Sequence, residues 1–291
     1  MKIGVSGAGG HIEHAVIQEL LARGTEHSVI GISSSPPGVQ APAVGRRADY
    51  NEPATLLRAF EGLKRILLVP STDAGPGLQG WEMSEAIDAA RRAGVSHIVM
   101  LSVAGLRDEH EAALDAAFWI AEQHLIRTAP CWTIIRMNFL IESIVWDMQM
   151  ALSSGSLMGL GEERVAFVSL GDVAAAAASV LLGEGHTGAI YHATGPITLS
   201  GEERAAMLAQ LPGTPIGFEQ LTEAQLRNGL VEAGWPDHDV DRLLAIKRKF
   251  VQGQFDIVTG DVKRLTGRRP VALHEMWPRL FNVRSGAHAR P

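Results

Sequence analysis

The segment Gly7-Ala8-Gly9-Gly10-His11-Ile12-Glu13 sets three glycines within four positions directly ahead of a helical pattern. Glycines permit positive φ and close backbone approach, and the free N–H groups of a helix N-terminus attract phosphate. Residues 2–7 read as a strand and 11–23 as a helix, the setting in which such a turn holds the pyrophosphate of a dinucleotide on the N–H groups of residues 9–12. Gly4, Gly7 and Gly10 also fit G-x-x-G-x-x-G, but Gly4 falls inside the strand. Glu13 stands where a third glycine would let the helix sit close to the sheet. If its carboxylate faces the phosphates from about 5 Å at an effective dielectric of about 20, repulsion costs about 3 kcal/mol, roughly a hundredfold in affinity. If it turns outward to pair with His14 or a backbone N–H, the turn works unimpaired. Both orientations are open.

Other residues narrow the chemistry. After the second strand come Ser33, Ser34 and Ser35, which can hydrogen-bond a ribose or a 2′-phosphate but offer neither the acid nor the arginine usual there. Arg46 and Arg47, one strand on, are the basic alternatives. Of the 11 histidines, "HIEH" (11–14) lacks a third ligand, so no metal site is expected. His110 and His124 flank one helix and are candidate acid–base groups, with solvated surface histidines as the plain alternative. Ser102 lacks the context of a nucleophile elbow. The only tyrosines are Tyr50 and Tyr191, neither in Y-x-x-x-K, which argues against a carbonyl–alcohol dehydrogenase needing a proton donor. Trp146, Met148 and Met150, with Trp81 and Trp119, suit either a flat apolar ligand or core packing.

These residues need a scaffold. The chain has 291 residues, 46% hydrophobic and 20% charged, the balance of a globular protein. A net charge of −6 without a long basic run excludes nucleic acid as the expected partner. The lone Cys131 excludes an internal disulfide, and "CWTIIR" reads as a buried strand in which it packs. No apolar run approaches the about 20 residues of a membrane span, and the start has no signal-peptide pattern, so a cytoplasmic protein without membrane partners is expected. Near-continuous apolar runs at 2–7, 27–33, 65–71, 97–102 and 131–136, with a short one at 44–48, read as parallel strands covered on both faces. Helical patterns at 11–23, 53–61, 79–93 and 110–127 alternate with them. The expected fold is α/β, a Rossmann-like doubly wound parallel sheet. It occupies 1–155, continued by 165–195 through the helix 171–182 and a strand at 189–194. Residues 153–163 read as a loop, and 196–291 as a small, mostly helical substrate cap.

Seven segments in order resemble the NmrA-like atypical short-chain dehydrogenases, a family that includes NAD(P)H:quinone oxidoreductase type 2 and triphenylmethane reductase. They are "SGAGGHI", "ADYNEPATLLRAFEGLKRILLVPS", "AIDAARRAGVSHIVMLSVAG", "TIIRMNFLIES", "GDVAAAAASVLL", "GHTGAIYHATGP" and "VTGDVKRLTGRRPVAL". The resemblance implies an oxidoreductase using NADPH or NADH on small quinone-like or conjugated aromatic substrates, as monomer or homodimer. It implies that Gly7, Ala8, Gly10, His11 and Ile12 hold the pyrophosphate, that Asp49 lies near the adenine, and that Val69, Pro70 and Ser71 lie near the ribose. Ser102, Val103, Asn138 and Phe139 would face the nicotinamide. Asn138 and Phe139 would form the pocket floor, Trp146, His110 and His124 its wall, with Asn138 a further candidate in the chemistry. Three departures stand out: Glu13, the missing basic residue after the second strand, and Phe118 and Gln123 where relatives often carry His and Lys, with only Glu122 kept. Two alternatives follow from a degenerate turn: a cofactor-independent isomerase, cyclase or lyase, and a non-catalytic dinucleotide sensor.

Overall fold

The computed structural model describes residues 1–7, 10–24, 26–35, 41–70, 78–106, 114–211, 215–277 and 280. Ala8, Gly9, Ser71 and His110 lie outside the described residues. The chain divides into two compact units, Met1–Met137 with Leu170–Ala193 and Gly260–Arg269, and Asn138–Ser169 with Thr194–Thr259 and Pro270–Pro291.

The first unit carries β1 (Lys2–Ser6), α1 (His11–Ala22), β2 (Ser28–Ser33), β3 (Val44–Arg47), α2 (Pro53–Phe60), β4 (Arg65–Leu68), α3 (Leu78–Arg92), β5 (His97–Val103), α4 (Leu114–Thr128) and β6 (Trp132–Met137). The second unit holds α5 (Val145–Ser154), β7 (Ser156–Gly159) and β8 (Arg164–Val165); α6 (Leu170–Leu182) and β9 (Ala189–Ala193) return to the first. The seven strands form one parallel sheet in the order β3-β2-β1-β4-β5-β6-β9. Strands leave β1 in both directions, the doubly wound arrangement. The register aligns Ser6 with Ile32 and Ile32 with Arg46, and Ser102 with Arg136 and Arg136 with His192, so all carboxyl ends meet at one edge.

Periodicity explains the layers. Ile30, Ile32, Ile66, Leu68, Ile98 and Met100 alternate along their strands and form one buried cluster with α2, α3 and α4. The intervening Ile3, Val5, Val29, Leu67, Val99 and Leu101 are equally buried, and α1 packs beside α6. Side chains alternate between faces, so a strand apolar throughout is covered on both sides. Arg65, at the amino end of β4, donates to the carbonyls of Leu181 and Gly183 and so caps α6. Cys131 sits one residue ahead of β6, half-buried, its Sγ 2.9 Å from Thr187 Oγ1, rather than inside the strand as its neighbours imply.

The second unit continues with β10 (Leu199–Ser200), α7 (Gly201–Leu208), β11 (Gly217–Gln220), α8 (Glu223–Glu232) and α9 (Asp237–Val251); α10 (Asp261–Thr266) belongs to the first. It is mostly helical, but residues 156–159, expected as loop, pair in parallel with β11. That pairing joins segments about 60 residues apart, and only the tertiary structure supplies it. Capping boxes start α7 (Ser200 with Glu203) and α8 (Thr222 with Gln225). Four phenylalanines, Phe139, Phe167, Phe250 and Phe255, meet edge to face, with centroids of neighbouring rings 5.0–6.3 Å apart. Beside them Glu163 is buried between Arg204 (2.5 Å) and Lys247 (3.7 Å), and Lys247 also reaches Asp147 at 2.9 Å.

One buried group of the first unit makes its stability depend on pH. Thr133 Oγ1 donates to His186 O at 2.6 Å, so its oxygen accepts from the Nε2–H of His97 at 2.8 Å. Burial first, and then the Arg65 charge, push His97 down to about 4. The unfolded chain takes up this proton near pH 6.5 and the native protein only near 4, so the contribution is complete above 6.5 and is lost as pH falls through that window. Urea midpoints measured between pH 7.5 and 4.5 should fall more steeply for the wild type than for His97→Gln, the difference approaching about 1 kcal/mol per pH unit. Parallel slopes would remove His97 as the cause.

Candidate cofactor-binding site

The glycine turn follows β1 directly. Gly7 has φ +76°, a conformation that side chains rarely adopt, and its carbonyl accepts from Gly10 N at 2.9 Å. Gly10 then caps α1, its carbonyl accepting from His14 N at 3.1 Å. His11 is exposed and Ile12 half-buried at the first turn of the helix.

Glu13 does not turn outward. Its side chain is 8% exposed, and a carbon added at Gly7 or at Gly10 would collide with its carboxyl oxygens. The carboxyl therefore fills the space beneath the turn, while His14 stays on the exposed side of α1. Burial pushes Glu13 up to about 7, partly offset by a backbone hydrogen bond.

Next to it lies a hydrogen-bonded node that the motif reading did not single out. Ser6 Oγ donates to Leu67 O (3.0 Å) and accepts from Val69 N (3.1 Å) and from the Tyr50 hydroxyl (2.5 Å). One hydroxyl thus ties the carboxyl ends of β1 and β4 to the turn after β3. Burial, then the nearby Glu13 and Glu82 charges, holds the Tyr50 phenol above its ordinary range and so protonated. Glu82, on α3, is buried, and its Oε1 has no partner among the described residues. Burial foremost and then Asp49 raise its pKa. The available signals were Ser6 immediately before Gly7, and Tyr50 beside Asp49 in "ADY".

The remaining expected cofactor residues come to the same edge of the sheet. Ser33 ends β2, Asp49 follows β3, Val69 and Pro70 follow β4, and Ser102 and Val103 end β5. Asp49 Oδ1 accepts from Asn51 N at 2.9 Å, which shapes the turn into α2. Arg46 Nη1 donates to the carbonyls of Ala59 (2.7 Å) and Glu61 (2.8 Å) and so closes the end of α2; Arg47 is exposed. Pro70 also borders a shallow apolar depression with Met83, Ala117, Phe118 and Ala121. There Phe118 supplies a ring where a histidine would supply a base. Glu122, buried beneath, forms a two-pronged ion pair with Arg136 at 2.9 and 2.5 Å. His124 Nε2 meets Asp88 Oδ1 at 3.1 Å, and Trp81 is exposed.

In the second unit, Asn138 is engaged by the chain itself. Its amide donates to Phe255 O (3.0 Å) and Ile257 O (3.2 Å), and its Oδ1 accepts from Phe139 N (2.7 Å). Trp146 packs against Trp235, centroids 4.3 Å apart, beside the Leu226–Leu244 cluster. Among the described residues no group of histidine, cysteine or acidic side chains is arranged to hold a metal, and no helix is long and apolar enough to cross a membrane.

A family model described as NAD(P)H-binding matches residues 7–183, from the glycine turn to the end of α6. The chain belongs to that family. It is 28% identical over 97% of its length, and 99% of the relative's, to quinone oxidoreductase 2 of Escherichia coli. It is 30% identical to the NAD(P)H azoreductase of Xenophilus azovorans over 79% of each chain. The solved structure of the E. coli NADPH-dependent quinone oxidoreductase in complex with NADPH superposes with a TM-score of 0.89, at 27% identity, over 96% of this chain and all of that one. The chain is an oxidoreductase that uses NAD(P)H.

The site fits this cofactor in one respect that is this chain's own. The hydroxyls of Ser33 and Ser102 are buried and have no partner among the described residues. A buried hydroxyl left unbonded costs about 1–3 kcal/mol, which a polar ligand group would relieve. Replacing Ser102 by alanine should therefore leave the urea midpoint unchanged or raised, while NADPH affinity falls about three- to tenfold; equal affinity would detach Ser102 from the cofactor. Asn138→Ala, by contrast, leaves Phe255 O its bond from Ala166 N but removes the donor to Ile257 O and the acceptor of Phe139 N, and should lower stability by about 1–3 kcal/mol. An unchanged midpoint would show that the clamp contributes nothing.

Proposed function

We propose that the chain reduces small quinone-like or conjugated aromatic compounds with NADPH or NADH. The observation that carries this reading is the pair of buried, unpartnered hydroxyls, Ser33 and Ser102, at the carboxyl edge of the sheet. Similarity to relatives named for quinones and azo compounds supports the acceptor class. When bound, the nicotinamide supplies a hydride. The chain's part is binding and orientation. Gly7, Gly10, His11 and Ile12, with Ala8 and Gly9, are assigned to the pyrophosphate; Ser33, Asp49, Val69, Pro70 and Ser71 to the adenosine; Ser102 and Val103 to the nicotinamide. An electron-poor acceptor takes hydride directly, and its proton can come from solvent, so no tyrosine–lysine pair is required. Phe139 and Trp146 are assigned to the flat acceptor and Asn138 to positioning Phe139, whose N–H it holds. His110 and His124 remain proton-supply candidates. The enzyme is placed in the cytoplasm as a monomer or homodimer.

Absorbance at 340 nm tests the acceptor class when NADPH and NADH are offered with naphthoquinones and azo dyes. Acceptor-dependent oxidation is expected. No oxidation with any of these acceptors would remove quinone-like and conjugated compounds as the substrates.

A further inference from the structure

We propose that Glu13 is itself a ligand of the cofactor, its neutral carboxylic acid donating a proton to a pyrophosphate oxygen and its ionised form excluding the same group. This rests on the reading that the chain binds NAD(P)H. The geometry comes first. The carboxyl oxygens lie against both Gly7 and Gly10, in the space their missing side chains leave within the turn assigned to the pyrophosphate. The acid form has one O–H donor to offer a phosphate; the carboxylate has none.

The surroundings favour the acid. From α1 itself, His11 and His14 point to the exposed side. From β1 and the turn after β3, the polar groups nearby are Ser6 and the Tyr50 phenol. On α3, Glu82 adds a further acid close to Tyr50. On α6, which packs beside α1, the ionisable residue is the buried Asp172, 3.8 Å from Arg268. Among the described residues no ion pair joins a cation to Glu13. With burial pushing its carboxyl up to about 7, free enzyme near neutrality holds both forms. A bound pyrophosphate, adding negative charge at the turn, shifts the balance further towards the acid. Binding above neutrality then takes one proton from solvent.

Calorimetric titration of the full chain with NADPH between pH 6.5 and 9 tests this, using buffers of different ionisation enthalpy so that protons are counted. Wild-type affinity should fall about tenfold per unit above pH 7, about a hundredfold by pH 9, with about one proton taken up per cofactor at pH 8. Glu13→Gln, which keeps a donor that cannot ionise, should bind with no such slope and no proton uptake. Glu13→Gly should likewise be flat and bind more tightly than wild type at pH 9. The cofactor's own 2′-phosphate titrates near pH 6 and is common to all three, so the differences belong to Glu13. Wild-type binding that is flat with pH, or a Glu13→Gln slope equal to wild type, overturns the proposal and leaves the reductase reading standing. No binding by wild type at pH 6.5 or by Glu13→Gly at any pH overturns both.

Discussion

Central parallel strands buried on both faces, β1, β2, β4 and β5, can present polar groups only at their ends, and the rest of the first unit follows from that constraint. Ile66–Leu68 and Ile98–Leu101 leave no room for chemistry along the strands. Serines, carboxylates and turn backbone are therefore concentrated where β1, β2, β4 and β5 terminate, and the parallel register brings those ends to one edge. The opposite edge is used for fastening. There Arg65 caps α6, and Thr133 links His97 to the segment ahead of β9.

At the carboxyl edge one small hydroxyl has a large structural role. Ser6 joins two strands and the turn after β3, and Tyr50 is held against it in the protonated form by burial and by two neighbouring acids. Glu13 occupies the space that a third glycine would have left free. A carboxylate in such a place is desolvated and so poorly stabilised as an anion, and its ionisation moves towards neutrality. The fold thus keeps the glycine turn and adds to it a group whose charge depends on the surrounding solution.

The second unit solves a different problem. It has no large sheet, and it draws its order from edge-to-face phenylalanines and from charges buried among them. Glu163 is shared by Arg204 and Lys247, and removing Glu163 would leave Arg204 buried without its anion, while Lys247 keeps Asp147. Asn138, the first residue after β6, extends this economy by satisfying two carbonyls near Phe255 and the N–H of Phe139. An apolar interior of this kind holds its aromatic rings edge to face.

The sequence by itself determined the sheet, because both its signals are local. Unbroken apolar runs mark strands covered on two faces, and 3.6-residue periodicity marks the helices between them; the observed ends of β1 to β6 differ from the expected ones by no more than a few residues. The glycine turn was legible for the same reason, being a backbone requirement written in consecutive residues. Tertiary structure decided where side chains point and what distant segments they meet. Glu13 could face outward or inward from its position on α1, and only packing against Gly7 and Gly10 selects inward. Arg46 could read as a phosphate partner or as a solvated residue, and the end of α2 gives its Nη1 two carbonyl partners; Ser156–Gly159 read as loop until β11 arrived to pair with it. Asn138 and Tyr50 gained their partners in the same way, through hydrogen bonds to residues 117 and 44 positions away. Local pattern fixes secondary structure because hydrogen bonding within a helix and burial along a strand repeat every few residues. Side-chain partners across such separations depend on how the whole chain closes, and no short stretch of residues encodes that.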